Sequence, residues 1–570
     1  MIENIPSLLT KRSGAEGQNR TADTMIFSHV LYRLSYLGTG RASRSSDICL
    51  ERARRLATGP LRYGRFLVVA TGLPDQGALE WAAVSRLRFV VAFLSLAVAV
   101  AVGRSAQEPR EWLAGDSHIH SHWSPSYDRT QDPPVPRQGG DAIYSTPLNA
   151  RMARQFGLSW MVTTDHGGPN HSKFSRDQAY PELMASRQAV PEVMQFYGME
   201  LNMPAMDHHT LIIPRTSEER AVLFEVERRF DKNEAHPVDA TRDTADSRER
   251  ALSYIATLQH LPVLFVNHPS RSATGLGEFG LDEPSEIRAN NDLAPAVYRG
   301  MEGAPGHQAG GLDADGNPRR DAAGEPVGGR GLYATPGAGT LGGFDQMTAI
   351  VGGVWDALLG EGRRFWIVAS SDSHVHYTEG SRRGNDFWPG EFQKTYVHAR
   401  RDYDDVLDGL RNGRVFAVAG DLVTSLDVVV TTAEVRAEIG GTLIADPGAP
   451  VEVEIRFRDP DVPNGSGSNP RVARVDLIFG EVGDRSPGAD ENRNETTRVL
   501  RRFARDTWTQ DGDVFTVRTD LPRLDTDAYI RVRGTSTDDL EPGMDGLGED
   551  PWTDLWFYSN PVFIEQPEQN

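Results

Sequence analysis

Short apolar runs recur along the chain. Each is four to seven residues long, rich in β-branched or aromatic side chains and bounded by turn residues. The runs in "GLSWMVTTDHGG", "MQFYGMEL", "HHTLIIP", "LPVLFVNHPS", "AVYRGMEG" and "RFWIVASSDSHVH" predict strands. Between them, residues 146–157, 247–260 and 347–362 carry apolar positions at helical spacing. Strands alternating with helices predict an α/β fold with a parallel sheet or barrel to about residue 425. Beyond that point "SLDVVV", "VEVEIRF", "ARVDLIF", "VFTVRTD", "AYIRVRG" and "LWFYSNPVFI" alternate with turns and no helix. They predict an antiparallel β-sandwich over 426–570. Residues 303–345 are rich in Gly, Asp and Pro. They are expected to build little core and to form an insertion at the barrel mouth, mobile or closing as a lid.

The polar residues fall repeatedly at the strand ends. "GDSHIHSHWSPSYD" places His118 and His120 on one side of a strand, because side chains alternate faces. Asp165 and His166 end the next run, then Glu200, His268, Glu302, and the trio Asp372, His374 and His376. His208 and His209 begin theirs. A surface strand with a polar face explains a single His-x-His pair. A series of His, Asp and Glu at successive strand ends points to one shared site, since barrels carry their functional residues there.

Composition narrows the possibilities. Hydrophobic residues make up 39% of the 570 and charged residues 25%, which supports a real core and two or three domains. The net charge of −20 argues against a nucleic-acid binder. The single cysteine, Cys49, excludes a disulfide framework and cysteine-based zinc sites. Any metal must therefore be held by His, Asp and Glu. Residues 84–106 contain Arg86 and Arg88, an apolar run from Phe89 to Val102, and small residues after it. That is the pattern of a signal peptide. Residues 1–106 carry 14 basic and 7 acidic side chains, a net of +7, against 46 and 73 afterwards, a net of −27. Residues 1–83 lack periodicity and read as spurious upstream translation, with Val84 as the start. The chain is then exported to the periplasm or exterior, with no stable membrane span once the signal is removed.

"DSHIHS", "TTDH", "GME", "HHTLII", "NHP" and "SSDSH" occur in the order typical of the PHP (polymerase and histidinol phosphatase) family. The chain resembles that family over roughly residues 112–425. The resemblance implies a distorted (β/α)7 barrel over 107–425, two or three divalent metals, and hydrolysis of phosphate esters. It implies that His118, His120, Glu200 and Asp372 hold a first metal, and that Glu200 bridges to a second held by His209 and His268. His209 is preferred to His208 because it directly precedes the apolar run. A third metal would use His166, His374 and a ligand from the loop after the first strand, Asp128 or His122. Imidazole and carboxylate ligands suit zinc, manganese or iron.

A bridged metal pair supplies hydroxide at neutral pH and neutralises phosphoryl charge, so Glu200 and Asp372 are the expected centre of catalysis. Asp165 is expected either to orient a ligand imidazole or to cap a helix. His307 lies at a predicted strand end and is a lesser candidate. Arg382 and Arg383 follow the last motif, where a solvated loop is the plainer reading. His171, His236, His260 and His398 read as ordinary histidines. The expected partner is a small anionic phosphoester. Amide or lactone hydrolysis of the amidohydrolase type ranks lower, because no strand ends in lysine. A non-catalytic exported binding protein is the third reading.

Overall fold

A computed structural model describes residues 108–332, 339–380, 384–433, 435–483 and 492–567. The expectations for residues 1–106, including Cys49, the signal segment and the start at Val84, lie outside these residues, as do Arg382 and Arg383. Among the described residues no helix is long and apolar enough to cross a membrane.

The first part of the chain alternates strands and helices as its pattern predicts. Its strands are β1 (Glu111–Ile119), a small hairpin of β2 (Ser126–Asp128) and β3 (Val135–Arg137), β4 (Trp160–Thr163), β5 (Met194–Asn202) and β6 (His208–Ile213). β7 (Val263–Val266), β8 (Tyr298–Ala304), β9 (Trp366–Ala369), β10 (Gln393–Ala399) and β11 (Val415–Ala419) follow. The main helices are α1 (Thr146–Gln155), α2 (Tyr180–Ala189), α3 (Glu219–Phe230), α4 (Ala245–Ile255), α5 (Pro284–Leu293), α6 (Val354–Gly360) and α7 (Tyr403–Arg411). The helix expected over 347–362 is interrupted. Gly352 adopts φ +77°, and the chain restarts as α6 at Val354. β4, β7 and β9 are buried along their whole length, as their unbroken apolar runs require.

One mixed sheet of fifteen strands runs through this region. β1 pairs with β4, β4 with β5, β7 with β8 and β8 with β9, all in parallel. β6 alone of this series runs antiparallel to both neighbours, β5 and β7. Its first residue therefore lies at the rim where its neighbours finish. The two ends of the series meet there as well. Ile119 bridges to Ser373, His120 N donates to Ser373 O (3.1 Å), and Asp372 N donates to His118 O (3.0 Å).

The remaining strands are β12 (Ser425–Thr431), β13 (Arg436–Glu438), β14 (Thr442–Ile444), β15 (Glu452–Arg458), β16 (Arg474–Glu481) and β17 (Arg498–Ala504). β18 (Thr509–Asp511), β19 (Val514–Asp520), β20 (Ala528–Thr535), β21 (Trp556–Ser559) and β22 (Val562–Glu565) complete the set. β12, β13, β15, β18 and β19 form a separate five-stranded antiparallel sheet. Its strands alternate buried and exposed positions, the mark of one buried face. The other C-terminal strands do not stand apart. β21 pairs antiparallel with β11, so the large sheet crosses the boundary expected at residue 425. Leu426, Val453 and Phe457 of the small sheet share a hydrophobic cluster with Leu477, Ile530 and Phe557 of the large one. Residues 303–345 also depart from expectation, because Ala309, Leu312, Leu341 and Phe344 are buried.

β20 is buried on both faces, and its second face is polar. Arg531 makes a two-pronged ion pair with Asp356 of α6 (2.8 and 2.7 Å), both fully buried, and the Tyr529 hydroxyl donates to the same carboxylate (3.0 Å). Removing one partner strands the other charge in the interior, at a cost of about 3–5 kcal/mol. Asp356→Ala is expected to lower the unfolding free energy by that amount in urea denaturation, and a loss under about 1 kcal/mol would show the pair to be dispensable.

Candidate metal centre

His118 lies one residue before the end of β1 at Ile119, and His120 follows it by two residues, so both rings point to the same side. Their Nε2 atoms are 2.9 Å apart, and both rings are fully buried. Two carboxylates close on the same point. Glu200 Oε2 is 3.5 Å from His118 Nε2 and 3.3 Å from His120 Nε2. Asp372 Oδ1 is 3.3 and 3.2 Å from the same atoms. Ligands about 2.0–2.1 Å from one tetrahedral ion lie roughly 3.3–3.4 Å from each other. Glu200 Oε2 and Asp372 Oδ1 are buried without a hydrogen bond, which is costly for a carboxylate unless a cation takes its place. The donor set and these two orphaned oxygens fit a divalent metal.

Glu200 has a second set of neighbours. His166 Nδ1 is 2.8 Å from Oε2, while His208 Nδ1 and His268 Nε2 are 3.5 and 3.2 Å from Oε1. His166, Glu200 and His208 form a second potential metal-binding group. A third joins His120, His166, His374 and Asp141, with Asp141 Oδ2 3.3 Å from His374 Nε2 and 3.8 Å from His166 Nε2. Of the expected ligands, His118, His120, His166, Glu200, His268, Asp372 and His374 are brought together.

Two expectations are corrected. In the β5–β6 hairpin Glu200 pairs with Thr210 and Asn202 with His208, so His208 shares the face of Glu200. His209 points to the opposite face, where its Nε2 meets the Tyr298 hydroxyl (3.0 Å). The loop residue that joins His120, His166 and His374 in a potential metal-binding group is Asp141 rather than Asp128 or His122. Asp128 is occupied by Thr130, Gln131 and Arg137. His122 meets Glu182 of α2 (3.0 Å). Asp141 sits in the irregular loop before α1, where no periodicity marks it.

The surrounding polar groups hold these ligands in place. Glu302 accepts from His118 Nδ1 (2.7 Å), from the His268 amide (2.8 Å) and from Ser370 Oγ (2.7 Å). Such a carboxylate behind a ligand imidazole fixes its tautomer and aim. Asp165 reaches neither the ligands nor a helix end. It accepts from the Ser121 amide (2.6 Å) and hydroxyl (2.9 Å), so it anchors the chain just past His120. His376 turns away to Glu391 (2.9 Å) and stacks on Trp388. His171 is a core residue paired with Glu227 (2.6 Å).

Arg271 carries no sequence signal, whereas His307 is the strand-end candidate that does line the cleft. Arg271 donates to Asp372 Oδ2 (2.9 Å), and His307 Nε2 lies 3.0 Å from the same oxygen. His307 Nδ1 meets Asp386 (2.5 Å). Asp372 thus has one oxygen held by donors and the other, Oδ1, facing the histidine pair. His268, His307 and Asp372 all have left-handed backbones, with φ of 29°, 61° and 47°. Strain at three such residues in one cleft is characteristic of a functional site.

The charge balance reflects the crowding. Burial opposes ionisation of Glu200 and Asp372, but His166 and His118 hold Glu200, and His118, His307 and Arg271 hold Asp372, well below the usual carboxylate range. Burial likewise opposes charge on His374, yet Asp141 and Asp372 outweigh it and push the ring up to about 9. Protons thus balance the carboxylates where divalent cations would. No family model matches the chain, and no curated protein matches it.

Metal uptake at pH 7 should therefore release protons, because a ligand imidazole must be neutral. Apparent affinity should rise from pH 7 towards about 9, the level to which His374 is pushed. Calorimetry in buffers of different ionisation enthalpy reads this, and zero proton release would contradict it. His208→Ala should weaken metal binding about 10–100-fold, the order expected when a group at a metal site is lost. His209→Ala should retain full metal content but lose about 1–3 kcal/mol of stability, because it removes a buried ring and its hydrogen bond to the Tyr298 hydroxyl. Metal analysis beside thermal unfolding separates the two.

Proposed function

We propose that the protein is a metal-dependent hydrolase of small phosphoesters, built on a PHP-type barrel. The observation that carries this reading is Glu200, whose two buried oxygens are addressed by separate histidine sets. The order of the ligand residues along the chain fits the PHP resemblance. The contacts between His118–His120 and Asp372–Ser373 favour a series β1, β4–β9 closed into a seven-stranded barrel.

His118, His120, Glu200 and Asp372 would hold one ion. Glu200, His166, His208 and His268 would serve a second, and Asp141, His166 and His374 a third. Bound divalent ions supply Lewis acidity towards a phosphoryl group and make water a nucleophile at neutral pH. The chain's own contribution is to orient and to select. Glu302 aims His118, and Asp372 Oδ2 is kept out of the histidine pair by Arg271 and His307. The cleft over the site has a volume of about 360 Å³, room for a phosphoryl group and a small leaving group. Arg271 supplies a fixed positive charge at its wall, suited to an anion. No lysine is among the described residues lining this cleft, which sets the site apart from amidohydrolase-type centres. Export to the periplasm or exterior is part of the proposal and follows from residues 84–106.

Hydrolysis of a phosphomonoester panel with added Mn²⁺ or Zn²⁺ tests this reading. Glu200→Gln should lower kcat/KM at least about 10³-fold, since the amide loses the charge that joins the ions. His376→Ala should stay within a few-fold of the parent. Equal, mild losses in both variants would place the centre elsewhere, and absence of activity across the panel would remove the phosphoester assignment.

A further inference from the structure

We infer that residues 545–554, in the loop between β20 and β21, position the metal centre by holding His307 and Asp386. The inference rests on the metal-centre reading above and gives a role to the C-terminal region. His307 and Asp386 lie on separate loops, one after β8 and one after β9. The two are joined to each other and to the centre. His307 places Nε2 on Asp372 and Nδ1 on Asp386. Asp386 Oδ2 accepts from the amides of His374 (2.7 Å) and Val375 (2.8 Å), next to a ligand.

Over 305–345 and 370–392 the described residues form only a short 3-10 turn at Arg330–Leu332 and isolated bridges, and the 545–554 segment braces both loops. Beneath the first loop lies Arg330, fully buried. Its Nη1 donates to Asp545 (3.2 Å), Glu549 (3.4 Å) and Asp554 (2.7 Å). Its Nε donates to the Gln308 side chain (3.3 Å), and the neighbouring Gly331 amide donates to His307 O (3.1 Å). Asp545 also accepts from the amides of Gly342 (2.9 Å) and Gly343 (3.0 Å), tying down the far end of the same insertion. Behind the second loop, Trp552 packs edge-on to Phe387 (5.3 Å) and Phe392 (4.8 Å). Phe387 directly follows Asp386. A left-handed residue such as His307 persists only where its surroundings over-determine it, and these contacts are those surroundings.

The test is a double-mutant cycle on Mn²⁺ affinity, read by competition with a chromogenic chelator on the full chain. Arg330→Ala should weaken binding about tenfold, the order seen for groups that orient ligands from behind. His307→Ala should do the same. The double variant should bind no more weakly than His307→Ala alone, because Arg330 acts through His307. Gln308→Ala cuts the Arg330 link without stranding the three carboxylates and serves where Arg330→Ala does not fold. Trp552→Ala should weaken binding through Asp386. Unchanged affinity in Arg330→Ala and Gln308→Ala, or losses that multiply in the double variant, would overturn the inference while leaving the metal centre intact. A parent protein that binds no Mn²⁺ or Zn²⁺ would overturn the metal-centre reading itself.

Discussion

Glu200 is a buried carboxylate whose two oxygens face different histidines, and the surrounding structure is arranged around it. A single buried carboxylate with one unpartnered oxygen is expensive to fold. Here it faces Asp372, also buried, with an unpartnered oxygen aimed at the same pair of rings. That arrangement is tolerable only if positive charge fills the space between them. Protonated imidazoles supply it in part, and divalent cations would supply it fully. The strand order then follows as a requirement. Parallel strands deliver their last residues to one rim, and the lone antiparallel strand β6 delivers its first.

Much of this was legible in the sequence, because strand ends are marked by where apolar runs stop. His118, His120, His166, Glu200, His268, Asp372 and His374 were readable on that basis. The choice between His208 and His209 was not, since it depends on the β5–β6 register, which pairs Asn202 with His208. A one-residue slip in register exchanges the two faces. Asp141 and Asp386 lie in irregular loops, so no periodicity points to them. Arg271 lies three residues past His268, close enough to suspect but with no spacing rule to select it.

The domain boundary was legible only as a change of pattern. Alternating strands after residue 425 do form a five-stranded antiparallel sheet. Sequence pattern does not reveal pairing partners, and β21 returns to β11 of the α/β region. The Gly-rich segment 303–345 misled for a related reason. Its composition gives it little core of its own, but Arg330 and Phe344 are buried against other segments, the Phe344 ring lying tilted against Tyr558 (4.3 Å). Composition describes what a segment can bury alone, not what later residues lend it.

The central claim is that Glu200 joins two ions. Anomalous diffraction from crystals grown with Mn²⁺ or Zn²⁺, collected at the metal edge, addresses it most directly. The account predicts separate peaks on the two sides of the Glu200 carboxylate. One should lie about 2.0–2.2 Å from His118 Nε2, His120 Nε2 and Asp372 Oδ1, and the other should be bound by His208 rather than His209. No peak at Glu200, or a peak ligated by His209, would contradict it.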